Sequence, residues 1–166
     1  MLPHKFKLQL FSSYVYSRVS YGLHCYGVAR DCIVNPVKVI CNKLLKILLL
    51  KDRRYPTNDL FKECKMLKFD DLKNVTACKF VHKSVYPDAE TPVQVKNHFT
   101  LNSRVHDRDV RDKLKVRVPY VKRVFTESSI RWYGAYFWNS IDINIRKITN
   151  LNLFKKCLKK SLLDKY

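Results

Sequence analysis

Ser128–Ile141 reads SSIRWYGAYFWNSI and gathers Trp132, Tyr133, Tyr136, Phe137 and Trp138 around Gly134. Ile130, Tyr133, Phe137 and Ile141 recur at the three- and four-residue steps of an α-helix, not at the two-residue step of a strand. Aromatics beside cations have two uses. They fill a core, or they offer flat faces on which unpaired bases stack, at about 1–3 kcal/mol per base. Helical spacing favours the core, so Trp132, Phe137 and Trp138 are expected to anchor a helical module. Tyr136 stays open between the two roles.

Upstream of this segment the chain is dense in cations. Arg104, His106, Arg108, Arg111, Lys113, Lys115, Arg117, Lys122, Arg123 and Arg131 crowd the stretch from Lys96 to Arg131. Within it, Leu114-Lys115-Val116-Arg117-Val118 alternates apolar and basic residues, the period of a short strand, and Pro119 ends it. The rest reads as a long loop, and long loops in small domains are often functional. Arg104, Arg108, Arg111, Lys115, Arg117, Lys122, Arg123 and Arg131 are therefore the candidate phosphate contacts. Each cation can release condensed counterions on neutralising a phosphate, and arginine adds a planar fork. Plain solvation competes as an explanation of these charges. For His106 a structural hydrogen bond is the expected role.

The flanking segments carry helical periods. Pro3 suits a first helical turn, and Leu8, Phe11, Val15, Val19 and Leu23 extend a helix from Lys5 to about Tyr26, weakened by Gly22 and Gly27. Pro36 is expected to open a second helix. Val37, Ile40, Cys41, Leu44, Leu45, Ile47 and Leu48 would fill its apolar side, with Lys38, Asn42, Lys43 and Lys46 opposite. A short helix near Asn58–Cys64 takes a cap from Thr57 or Asn58. Another runs from Asp70 or Asp71 to about Val85, with Leu72, Val75, Thr76, Lys79 and Phe80 facing or flanking the core. Pro87 and Pro92 close it. A last helix begins after Thr149 or Asn150 and buries Leu151, Phe154, Leu158 and Leu162. The organisation expected is a helical segment over 1–86, a basic loop region over 87–127, and an aromatic segment with the last helix over 128–166, together one compact unit.

Composition narrows the function classes. The 166 residues are 46% hydrophobic and 13% aromatic, too apolar for a disordered tail. The 33 Lys and Arg against 14 Asp and Glu leave a net charge of +19. Such charge opposes compaction unless a core or a polyanion offsets it. Nucleic acid is the leading polyanion; an anionic membrane surface and a solvated basic face compete. The strongest apolar run, Leu44–Leu50, is broken by Lys46 and too short to span a bilayer. The N-terminal stretch is cut by Gln9, Ser12, Ser13, Ser17 and Arg18, unlike the unbroken core of a signal peptide.

Chemistry is sparse. Cys25, Cys32, Cys41, Cys64, Cys78 and Cys157 show no zinc-module spacing and read as buried, reduced thiols. With glycines only at Gly22, Gly27 and Gly134, a glycine-rich phosphate loop is excluded. Phe69-Asp70-Asp71 lacks the residue that separates the aromatic from the aspartate pair in polymerase metal sites, so helix capping explains it. No catalytic set, metal site, cofactor or small-molecule substrate is expected.

The order of several short motifs resembles the region after the palm, thumb and beyond, of the reverse transcriptase of non-LTR retrotransposons of the jockey-like and CR1-like kinds. Tyr14, Val19-Ser20-Tyr21-Gly22 and Tyr26-Gly27 are similar to the family's helix ending in a tyrosine–glycine and a tryptophan–glycine pair, with Tyr26 where tryptophan is usual. Cys41-Asn42-Lys43-Leu44-Leu45-Lys46-Ile47 resembles its next helix, with Asn42 for glutamine and Lys46 for arginine. Pro56-Thr57-Asn58-Asp59-Leu60-Phe61 with Met66-Leu67, and Phe99 with Val105-His106-Asp107 and Arg111, follow in family order; Val110 replaces threonine. Ser129-Ile130-Arg131-Trp132-Tyr133-Gly134, Trp138-Asn139-Ser140-Ile141 and Phe154-Lys155-Lys156 complete the series, with Asp142 where proline is common. The resemblance covers almost the whole chain. It implies a piece of an RNA-directed DNA polymerase whose fingers, palm and metal-binding aspartates would lie upstream, so no catalysis is expected from these residues.

The expectation is thus a mainly α module of about five to six helices with a long basic loop and a short β-hairpin around Lys115–Pro119. RNA or DNA is the expected partner, bound without sequence preference. The remainder of a polymerase is the alternative partner, packed on the apolar helices. Neither a membrane nor a small molecule is expected.

Overall fold

The computed structural model describes residues 3–105, 112–120 and 129–166, and these are mainly helical. In chain order the helices are α1 (His4–Leu10), α2 (Ser17–Ser20), α3 (Leu23–Tyr26), α4 (Asp31–Leu48), α5 (Thr57–Glu63), α6 (Phe69–Val85), α7 (Val93–Lys96), α8 (Ile130–Ser140), α9 (Ile143–Arg146) and α10 (Leu151–Leu163). A π-helical stretch, Phe11–Tyr16, joins α1 to α2. The chain divides into two compact units, Met1–Lys73 with Leu162–Tyr166, and Asn74–Ser161, the division falling within α6.

In the first unit the expected N-terminal helix forms in pieces. The Ser13 hydroxyl donates to the Gln9 carbonyl at 2.7 Å, and Ser17 donates likewise to Ser13. Hydroxyls that bond back along a helix bend it, and the wide π turn sits at these serines. Gly22, at φ 64°, takes the left-handed conformation that glycine adopts without a Cβ penalty and ends the run before α3. Phe11 is buried with Leu45, Leu49, Leu60, Phe61, Cys64 and Met66. A second cluster joins Leu23, Val34 and Phe69.

Helix α4 differs from the sequence expectation at its start and on its face. It begins at Asp31, with Arg30 as N-cap, so Pro36 lies inside it. The acidic Asp31 in the first turn favours that earlier start. Only Val34 and Leu45 are buried, while Ile33, Ile40 and Ile47 are 63%, 55% and 70% exposed. The apolar arc is wider than the strip that the unit covers.

Two helix ends are unusual. Leu50 (φ 55°) and Lys65 (φ 51°) are left-handed without being glycine. At each, the next residue bonds back across the end: Lys51 N–H to the Lys46 carbonyl at 2.9 Å, and Met66 N–H to that of Phe61 at 3.0 Å. Helix α5 starts at Pro56 as N-cap with no side-chain cap, so neither Thr57 nor Asn58 fills that role. Instead Asn58 Oδ1 accepts from Lys68 Nζ at 2.5 Å. Tyr166 closes the unit: its hydroxyl donates to Asp71 at 2.6 Å and accepts from the Lys68 N–H at 2.9 Å. Asp70 pairs with Lys38 at 2.8 Å, so both first-turn aspartates of α6 have structural partners.

The second unit is built on aromatic packing. Trp138 and Phe154 are fully buried, their rings 5.6 Å apart, and His82 lies 4.6 Å from Phe154. His82 Nε2 bonds the Ile148 carbonyl at 2.8 Å. Burial, the larger effect, holds this imidazole below its ordinary pKa. Helix α6 is sunk on more sides than its pattern suggests: Val75, Ala77, Cys78, Val81, His82 and Val85 are all buried. Asn150 caps α10, accepting from the N–H groups of Asn152 and Leu153; of the expected stripe, Phe154, Leu158 and Leu162 are buried and Leu151 is half-buried.

The expected hairpin is replaced by one antiparallel bridge, Leu101 to Val116. Asn102 N–H donates to Lys115 and Arg117 N–H to Thr100, each at 2.8 Å. In that register Val116's own N–H and carbonyl face away from Leu101. They are taken by a side chain of α8, and Pro119 limits extension of the strand. The cysteines also depart from expectation: Cys64 and Cys78 are buried, Cys41 is half-buried, and Cys25, Cys32 and Cys157 are exposed; all six are free thiols. Among the described residues no helix is long and apolar enough to cross a membrane.

Candidate nucleic-acid interface

Helix α8 positions what is described of the basic region. Ser129 is its N-cap and accepts from the Trp132 N–H. Gly134 lies on the packed side: a Cβ there would sit 3.1 Å from Val81 Cγ2 and 3.4 Å from Phe99 Cζ. That closeness lets the helix approach α6, and it puts Trp138 and Asn139 beside the segment 114–117. Trp138 Nε1 donates to the Leu114 carbonyl at 2.9 Å. Asn139 Oδ1 accepts from Val116 N–H at 2.9 Å, and its Nδ2 donates to the Val116 carbonyl at 2.8 Å. The carboxamide thus replaces a neighbouring strand.

The same segment is fixed at its start. Asp112 forms a two-point pair with Arg146, Nη2 to Oδ2 at 2.6 Å and Nη1 to Oδ1 at 3.2 Å. Arg146 is 3% exposed, and its Nε donates to the Ile141 carbonyl at 2.9 Å. Asp112 also accepts from Leu114 N–H at 3.2 Å. With Val116 turned inward and buried, Lys115 and Arg117 stand outward and exposed.

The sequence candidates divide three ways. Arg117 and Arg131 come together, lining one cavity of about 240 Å³ with His98, Phe99, Thr100, Pro119 and Tyr120. Arg104, in the 3-10 turn Asn102–Arg104, and Lys115 are exposed but do not line it. Arg108, Arg111, Lys122, Arg123 and His106 lie outside the described residues. Of the expected anchors, Trp138 is fully buried, Phe137 is half-buried, and Trp132 is half-buried with its ring stacked on Tyr136, centroids 5.2 Å apart and planes within 5°. Tyr136 is 59% exposed.

His98 and Tyr120 were not singled out by the sequence. His98 packs its ring edge-on against Phe80 at 5.4 Å and Phe99 at 4.9 Å. Its Nε2 is shut off from solvent with no hydrogen-bond partner among the described residues. Burial and then the Arg131 charge hold it below the ordinary imidazole pKa. A lone histidine gives no sequence signal for such a position. Among the described residues no group of three His, Cys, Asp or Glu side chains is placed to hold a metal ion.

Comparison with protein-family models, with curated proteins and with solved structures finds no match to this chain.

Proposed function

We propose that this chain is a non-catalytic segment of a retrotransposon RNA-directed DNA polymerase, from the part that follows the palm, and that it grips RNA or DNA by the phosphate backbone without reading sequence. The observation that carries the binding reading is the outward pair Lys115 and Arg117 on a strand whose buried residue, Val116, is clamped by Asn139. Cations on a fixed backbone lose less freedom on meeting phosphate than cations on a loose loop. The net charge of +19 supplies long-range attraction for a polyanion. The polymerase origin rests on the order of the motifs from Tyr14 to Lys156.

The test is binding of unstructured RNA and of duplex DNA to the wild-type chain and to variants with Lys115 and Arg117 changed to alanine. Comparable affinity for unrelated sequences, reduced in the variants, supports the reading. Affinity that persists unchanged in the variants removes these residues from the interface.

A second reading has its own observation. Ile33, Ile40 and Ile47 recur every seven residues on α4 and are exposed. That face suits a protein partner such as the remainder of the polymerase, and the chain would then be an interaction module with no independent function.

A further inference from the structure

We propose that the cavity between Arg117 and Arg131 is a built seat for one phosphoryl group, so that the interface has a fixed anchoring point within its diffuse positive charge. This deepens the nucleic-acid reading and rests on it for the source of the phosphate.

Four observations meet there. The volume, about 240 Å³, falls below the roughly 300–1,000 Å³ of pockets for drug-sized ligands and suits a small anion. Two guanidinium groups line it, and among the described residues no carboxylate does. Among the described residues neither arginine has an ion pair. Arg–phosphate pairing is frequently two-pronged, which two converging forks can supply from two sides.

The backbone under both arginines is fixed. Arg117 N–H is bonded to Thr100, next to the clamped Val116, and Arg131 lies in the capped first turn of α8. A fixed backbone lowers the ordering cost of binding an anion, leaving that of the exposed arginine side chains themselves. The fourth observation is His98. It lines the cavity, and its Nε2 is buried without a partner among the described residues. Buried polar side-chain atoms are nearly always satisfied, so this nitrogen keeps unused hydrogen-bonding capacity beside the cavity. Tyr120, strongly exposed at the rim, adds a hydroxyl and an aromatic face.

The probes are inorganic phosphate, and short oligothymidylates carrying either a 5′-phosphate or a 5′-hydroxyl, added to the full chain. The His98 ring and the arginine Nε groups are followed by NMR. Phosphate is expected to shift the His98 and Arg117 signals in the millimolar range, and Arg117→Ala with Arg131→Ala to weaken that response at least tenfold. Lys43→Ala and Lys46→Ala, in the first unit, should leave it unchanged. Tighter binding of the 5′-phosphorylated strand would identify a terminal monoester as the natural occupant; equal binding would identify an internal diester. His98 signals that stay still under phosphate, or that move equally in the double variant, overturn the seat. The two readings fail separately. Strand binding that survives without an effect of Arg117 and Arg131 removes the seat and keeps the interface. A phosphate response with no strand binding keeps the seat and removes the nucleic-acid reading.

Discussion

Asn139 holds Val116 by both backbone groups, its Oδ1 2.9 Å from the N–H and its Nδ2 2.8 Å from the carbonyl. The contact closes a one-residue strand that Leu101 pairs on its other side, and it ties the exposed Lys115 and Arg117 to a helix anchored by the buried Trp138. Asn139→Ala leaves two partly buried backbone groups unpaired, at about 1–3 kcal/mol each if no water replaces the carboxamide. The expected outcome is a lower urea midpoint, faster hydrogen exchange at the Val116 amide, and weaker RNA binding although no cation is lost. Unchanged exchange at Val116 would refute the clamp.

Arg146 and Asp112 form the other tie. Asp112→Ala strands a guanidinium that is 3% exposed, and removing one partner of a buried pair costs about 3–5 kcal/mol. Replacing Arg146 by Met in the same chain removes the stranded charge and should recover part of the loss. A double-mutant cycle measured by urea unfolding checks this; additive losses would show that the two side chains are not coupled.

Two histidines give the fold an acid-sensitive limb. His82 and His98 both have pKa values lowered chiefly by burial. The unfolded chain therefore takes up protons as pH falls through about 6.5, while the native chain does not until lower pH. Stability is fully present above that pH and falls below it, by up to about 1.4 kcal/mol per pH unit for each histidine until its native pKa is reached. Urea midpoints between neutral and mildly acidic pH should decline. In His82→Gln the decline should be shallower, because the unfolded chain then gains one proton fewer.

Lys65 and Leu50 end helices in a left-handed conformation that costs a side-chain-bearing residue about 1 kcal/mol. Lys65→Gly is expected to raise stability by up to about 1 kcal/mol, set against the greater freedom that glycine gives the unfolded chain. Gly134→Ala runs the other way. Helix propensity favours alanine by about 1 kcal/mol. Buried Val81 and Phe99 stand 3.1 and 3.4 Å from the new Cβ, and overpacking of about 1–3 kcal/mol outweighs the gain. Thermal unfolding of both variants checks the two signs.

The helical class was legible because three- and four-residue spacing runs through α4, α8 and α10, and the last start was placed after Thr149 or Asn150, of which Asn150 is the cap. The strand alternation at Lys115–Arg117 was legible too, but its partner was not: nothing local tells that an asparagine more than twenty residues away will replace a strand. Pro36 misled, because proline suits a first turn and is also carried inside α4. The isoleucines of α4 misled for a different reason. An apolar arc shows what could be buried, whereas burial depends on what surrounds it. In the candidate interface, Arg117 and Arg131 were legible as charges. Their convergence on His98 was not, since it arises from the packing of α8 and the Thr100–Arg117 pairing.

The most direct measurement of the central claim is the salt dependence of RNA and duplex DNA binding by the whole chain. Neutralisation of several phosphates gives log K a slope against log salt of about −0.7 per phosphate contacted on a single strand and about −0.9 on duplex DNA. The expected result is a slope steeper than about −2 on either nucleic acid, nearly independent of sequence, and reduced by about one unit when Arg117 and Arg131 are both changed to alanine. A slope near zero, or no binding at low salt, would contradict a chain that grips the nucleic-acid backbone through its clamped basic strand.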